Sequence, residues 1–137
     1  MSQTEQNRKV TLDGIVSRFV GTFSQKPTIE TAGIEIYALS QESYVGIAST
    51  PGVLQTVLAP GEMVEPHSHQ FEAWYFTDGV AYLFTAANPQ IELPEYAAIR
   101  VAERTVHGWS DVYSGREQGV ITHLHVGHGV HKVERVY

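Results

Sequence analysis

From Ile34 onward the chain reads as short runs in which apolar and polar positions alternate: "IEIYAL", "YVGIAS", "VLQTVLA", "EAWYFT", "VAYLFTA", "AAIRVA", "GVITHLHV" and "VHKVERVY". Successive side chains of a strand point to opposite sides, so each run can bury one face. Pro, Gly, Asn and Asp punctuate the runs. About eight short strands at this spacing predict an all-β sandwich or barrel. Ahead of them, "TLDGIVSRFVGTF" places Leu12, Ile15, Val16, Phe19 and Phe23 on a helical stripe, while Ile15, Phe19 and Phe23 also fit one face of a long strand. We read it as a short helix weakened by Gly14 and Gly21. Residues 1–9 offer nothing to bury and are expected to form a flexible tail before a single domain over 10–137.

Two returns of the chain are marked. Asp78-Gly79, between "EAWYFT" and "VAYLFTA", is a hairpin signal, because glycine accepts the positive φ of tight antiparallel turns. The segment "ANPQIELPEY" breaks regular structure at Asn88-Pro89 and Pro94-Glu95.

At 137 residues, with 42% hydrophobic and 18% charged positions, the chain suits one core-forming domain. A formal net charge of −6 and the absence of clustered Lys and Arg exclude a surface built for nucleic acid. With no cysteine, neither disulfides nor thiolate ligation is available, so a transition-metal site must use His and carboxylates. No stretch is apolar and long enough for a membrane span or a signal h-region, and a soluble, cytoplasmic protein is the expectation.

The candidate chemistry lies in "PHSHQFEAWYF". His67 and His69 stand two apart, so in an extended strand both imidazoles aim at one point. Glu72 follows closely, and the alternating run "AAIRVA" is expected to lie alongside the histidine strand, with His107 in "ERTVHGWSD" after it facing the same interior at the start of a neighbouring strand. Three imidazoles and a carboxylate would hold one divalent transition metal, Fe, Mn, Ni, Co or Zn, with positions left for water or substrate.

These residues resemble the cupin family. Its first motif runs Gly, five residues, His-x-His, three or four residues, Glu, six residues, Gly. Here Gly61 is followed by "EMVEP", His67-Ser68-His69, only Gln70-Phe71, then Glu72, "AWYFTD" and Gly79. The interval from His69 to Glu72 is one residue short. Of the second motif only His107 remains: Ala102, Arg104 and Asp111 stand where it has Pro, Gly and Asn. The resemblance, over residues 50 to 127, implies a cupin-type double-stranded β-helix, a jelly-roll barrel, binding a metal through His67, His69, His107 and Glu72. It also implies self-association, expected as a homodimer. With Glu72 facing inward, Trp74 and Phe76 share its face and line a substrate pocket.

Arg100 is a further pocket candidate, able to grip an anionic ligand, or a surface residue on an alternating strand. His123 and His125 share a face with Ile121, opposite the more apolar Val120, Thr122, Leu124 and Val126. If that apolar face packs in the core, as its composition favours, both histidines point away; if not, either enters the barrel mouth as a base or extra ligand. Tyr75 and Tyr82 are read as structural. The expected function is a metal-dependent enzyme of dioxygenase, isomerase or lyase type acting on a small organic molecule. The alternative is a non-catalytic module that binds or senses a small molecule.

Overall fold

Alternation decides the architecture strand by strand. The computed structural model describes residues 27–49, 54–88, 90–125 and 133–135, leaving aside the side chains of 124, 125 and 133–135. The expected tail and the helix near Leu12–Phe23 lie outside the described residues. The elements run β1 (Ile29–Thr31), β2 (Ile34–Ala38), α1 (Gln41–Ala48), β3 (Leu54–Leu58), β4 (Met63–His69) and β5 (Ala73–Asp78). After these come β6 (Val80–Thr85), β7 (Ile91–Glu92), β8 (Tyr96–Val101), β9 (His107–Val112), β10 (Gly119–His125) and β11 (Val133–Arg135).

Two antiparallel sheets result, one ordered β1-β2-β8-β5-β10-β3 and the other β11-β4-β9-β6-β7. From β3 onward consecutive strands repeatedly change sheet, so β3-β10-β5-β8 faces β4-β9-β6-β7. That interleaving is a jelly roll, the double-stranded β-helix expected from the resemblance. Between the sheets lies a core that includes Ile34, Ile36, Leu58, Val80, Leu83, Ile99, Val101, Trp109 and Ile121.

A second apolar cluster covers the opposite side of the six-stranded sheet. There α1 sets Tyr44 and Ile47 against Phe76 and Ala98, flanked by Tyr37, Trp74 and Tyr96. The run "YVGIAS", expected as a strand, is therefore mostly helix. Ser40 caps it: its hydroxyl oxygen accepts from the Ser43 N–H at 3.1 Å, and Glu42 lies in the first turn. Ser43, Tyr44 and Ile47 are buried at helical spacing, so packing of this face overrides the weak propensity of Val45 and Gly46.

Two expected strand relations also change. Asp78-Gly79 does not close a hairpin, since β5 pairs with β8 and β10 while β6 pairs with β7 and β9. Gly79 instead turns the chain from one sheet to the other at φ +74°. Its N–H donates to Glu95 O at 2.8 Å and its carbonyl accepts from Tyr113 N at 2.7 Å, so both backbone groups of the corner are satisfied. Similarly, β8, which carries "AAIRVA", runs beside β2 and β5 rather than beside the histidine strand. The neighbour of β4 is β9, with His67 directly opposite His107.

Candidate metal centre

The histidine strand does not alternate simply. Val64 pairs with Trp109 and His67 with His107, so three steps along β4 match two along β9. The extra residue is a β-bulge at Glu65-Pro66, where proline's missing N–H is tolerated. Without it Val64 and His67 would lie on opposite faces. With it Val64 packs on the core while His67 and His69 still join the cluster around His107. Gly108 makes room for this bulge: a Cβ there would stand 2.7 Å from Val64 O and 3.0 Å from Pro66 N.

His67, His69 and His107 thus converge, with one ligand atom from each lying within 4.8 Å of the others. Ring centroids are 4.8 Å apart for His67–His69, 4.5 Å for His67–His107 and 4.9 Å for His69–His107. Two of the rings are held in a defined tautomer. His67 Nδ1 lies 2.8 Å from Glu65 O, and His107 Nδ1 lies 2.8 Å from Thr105 O. A carbonyl only accepts, so each Nδ1 carries a proton, and in the neutral ring Nε2 keeps its lone pair. This is the orientation by outer partners that metal-ligating histidines use. The backbone beside His69 is fixed as well, its carbonyl accepting from Arg104 N at 2.6 Å.

His69 and His107 are buried and His67 is half-buried, so the cluster opens towards solvent on the His67 side. Trp109 stands edge-on to His107 at 6.4 Å, on the apolar side of the cluster.

Tyr75, read as structural from the sequence, reaches into this cluster. Its hydroxyl lies 2.9 Å from His107 Nε2 and 3.4 Å from His69 Nδ1. Since His107 Nε2 is the bare nitrogen, the phenol donates to it. Burial pushes the Tyr75 phenol well above its ordinary pKa, keeping it protonated. His123 lies opposite Tyr75 on β10 and stacks on its ring at 5.7 Å and 16°. It therefore shares the inner side with Ile121, against the reading that sends it away from the interior. His125 pairs with Ala73 in the same ladder, and its side chain lies outside the described residues.

The other sequence candidates occupy the opposite side of the sheet. Glu72 Oε1 accepts from Arg100 Nε at 2.7 Å, and Arg100 Nη1 reaches Glu35 Oε1 at 3.2 Å. Trp74 and Phe76 pack in the cluster under α1, stacked at 6.2 Å. Glu72, Trp74 and Phe76 do share a side, as expected, but that side faces α1 and not the histidines. The shortened spacing explains it. One more residue before the carboxylate would place it at Ala73, which packs in the inner core; one fewer reverses the parity of everything after His69.

Fold and cluster define the class: a jelly roll built of two antiparallel sheets, with three converging histidines. No family model matches the sequence, and no curated protein matches it. Among solved structures the chain is similar to NovW, described as a 4-keto-6-deoxy sugar epimerase from the novobiocin biosynthetic gene cluster of Streptomyces spheroides. That likeness has 14% identity and a TM-score of 0.48 over 77% of this chain and 69% of that one. The rmlC epimerase of Mycobacterium tuberculosis gives 14% identity and a TM-score of 0.47 over 77% and 69%. The polyketide cyclase RemF from Streptomyces resistomycificus gives 15% and 0.45 over 82% and 80%.

Proposed function

We propose that this barrel holds one divalent first-row metal ion through His67, His69 and His107 and acts with it on a small organic molecule. The observation that carries the reading is the donor set itself: three imidazoles from two paired strands, two of them fixed through Nδ1 by backbone carbonyls. Such neutral nitrogen donors suit Fe, Mn, Ni, Co or Zn. Donors sharing one ion at about 2.1 Å lie roughly 3.0–3.4 Å apart, so small ring rotations close the cluster around it. When bound, the ion supplies Lewis acidity towards a carbonyl or carboxylate, or a site for dioxygen if it is redox-active.

The chain's own residues supply the rest. Trp109, 1% exposed and edge-on to His107, backs the cluster from the core side, while half-buried His67 marks the side on which a small molecule reaches it. We assign to His123, stacked on Tyr75, the role of moving a proton as the reacting group's acid or base. Enzymatic action of dioxygenase, isomerase or lyase type is the reading we favour, since three imidazole ligands leave positions on an ion for substrate. Self-association as a homodimer fits β3, the last strand of its sheet, which exposes Leu54 and Val57.

The test is metal analysis of the purified chain, followed by oxygen-uptake and substrate-depletion assays with the metal-loaded protein. One ion per chain, with turnover that chelation abolishes, is the expected result. One ion without turnover would make the barrel a binding module, and no retained ion would end the metal reading.

A further inference from the structure

The position that a carboxylate would fill beside the histidines is taken by Ala73, which offers no donor, and Glu72 is committed to Arg100. One side chain outside the triad nevertheless carries an oxygen among its nitrogens. The geometry points to Tyr75 as the fourth ligand, its phenolate completing a three-imidazole, one-oxygen centre; this rests on the metal reading above.

The spacing is that of a shared ion. Two donors bound to one ion at about 2.0–2.2 Å are held roughly 2.8–3.1 Å apart at a right angle and roughly 3.3–3.6 Å apart at the tetrahedral angle. Tyr75 Oη stands 2.9 Å from His107 Nε2 and 3.4 Å from His69 Nδ1. Both distances fall within what two ligands of one ion would keep, and the phenol oxygen faces the His107 nitrogen that would hold it.

The phenol is also built in. Tyr75 is 3% exposed, sits mid-strand in β5 between β8 and β10, and is clamped between His123 at 5.7 Å and Trp109 at 5.2 Å. A side chain held this way has little room to swing clear when an ion arrives. When the ion binds, the O–H bond breaks, its proton passes to a solvent base, and the oxygen pair forms the bond to the ion. The anionic oxygen then offsets one of the two positive charges in a pocket where His69 and His107 are almost wholly shielded from water.

Copper(II) is the probe, because phenolate bound to it gives an intense visible charge-transfer band that imidazoles alone do not. The full chain, stripped with chelator, is titrated with one equivalent, and its visible and resonance Raman spectra are compared with those of Tyr75→Phe. Tyr37→Phe, on the other side of the sheet, and a His67→Ala/His69→Ala double variant serve as controls. The expected result is a band with enhanced tyrosine ring modes in the wild type and in Tyr37→Phe. It should be absent from Tyr75→Phe, which should also bind copper about tenfold or more weakly.

Stoichiometric copper without the band, or a band that survives Tyr75→Phe, overturns the ligand assignment and leaves the triad intact. Tighter binding by Tyr75→Phe also overturns it, since the phenol would then only plug the His107 lone pair. If the wild type binds no more copper than the double variant, the metal reading itself fails. Should Tyr75→Phe not fold, the wild-type Raman spectrum still tests the assignment: enhanced tyrosine ring modes support Tyr75, 2.9 Å from His107 Nε2, and their absence overturns it.

Discussion

On β5, Ala73 and Tyr75 pack towards the other sheet, whereas Trp74 and Phe76 pack under α1. Tyr75 is 3% exposed and Phe76 0%, so burial alone does not tell the two sides apart. Chemistry does. Beyond Tyr75 lie two imidazoles at hydrogen-bond distance, while Phe76 meets Leu39, Tyr44, Ile47 and Ala98. The inner side is apolar around Leu83, Ile99 and Trp109 and turns polar at the histidine cluster; the other is covered by a helix and, beside it, by the Glu72–Arg100–Glu35 ion pairs. A strand buried on both sides loses the alternation that would mark its functional side.

The comparison breaks most visibly if metal retention does not follow the inner residues. Replacing His67 and His69 together by alanine should weaken metal binding by more than about hundredfold, beyond what loss of a mere orienting partner costs. Equilibrium dialysis with circular dichroism as a folding control measures this. Phe76→Ala should do the reverse: a loss of about 3–5 kcal/mol in denaturant unfolding from emptying a fully buried aromatic site, with metal affinity unchanged in the folded fraction.

Gly108→Ala should affect both readouts, because its Cβ would press on Val64 O and Pro66 N, where the bulge re-aims the histidine strand. About 1–3 kcal/mol of stability is at stake through overpacking, and metal affinity should drop about tenfold as His67 is displaced. Glu72→Gln is the smallest. It loosens an ion pair whose side chains are 34–35% exposed, so less than about 1 kcal/mol should be lost and metal affinity should stay as in the wild type.

Much of this was legible in the residues. The i, i+2 spacing of His67 and His69, the position of His107 at the head of a strand, and the all-β pattern all follow from local rules. The side of the sheet on which each residue sits was not, for three physical reasons. The bulge at Glu65-Pro66 depends on what Gly108 allows across the ladder, and that contact is non-local. The helix over Gln41–Ala48 hides an apolar side that composition counts as core, which reversed the reading of His123. Ser40, with the buried spacing of Ser43, Tyr44 and Ile47, was the signal that would have revealed the helix. The third reason is the short interval from His69 to Glu72, a missing residue that matching of residue types passes over. Read as a parity change, it sends Glu72 away from the histidines and brings Tyr75 among them.

A structure of the metal-loaded protein, with the ion located by its anomalous scattering, tests the central claim most directly. The account predicts one ion at about 2.0–2.2 Å from a ring nitrogen of each of His67, His69 and His107, with Glu72 still paired to Arg100. An ion bound through Glu72, or a triad that stays empty under excess metal with the Tyr75–His107 hydrogen bond intact, would contradict it.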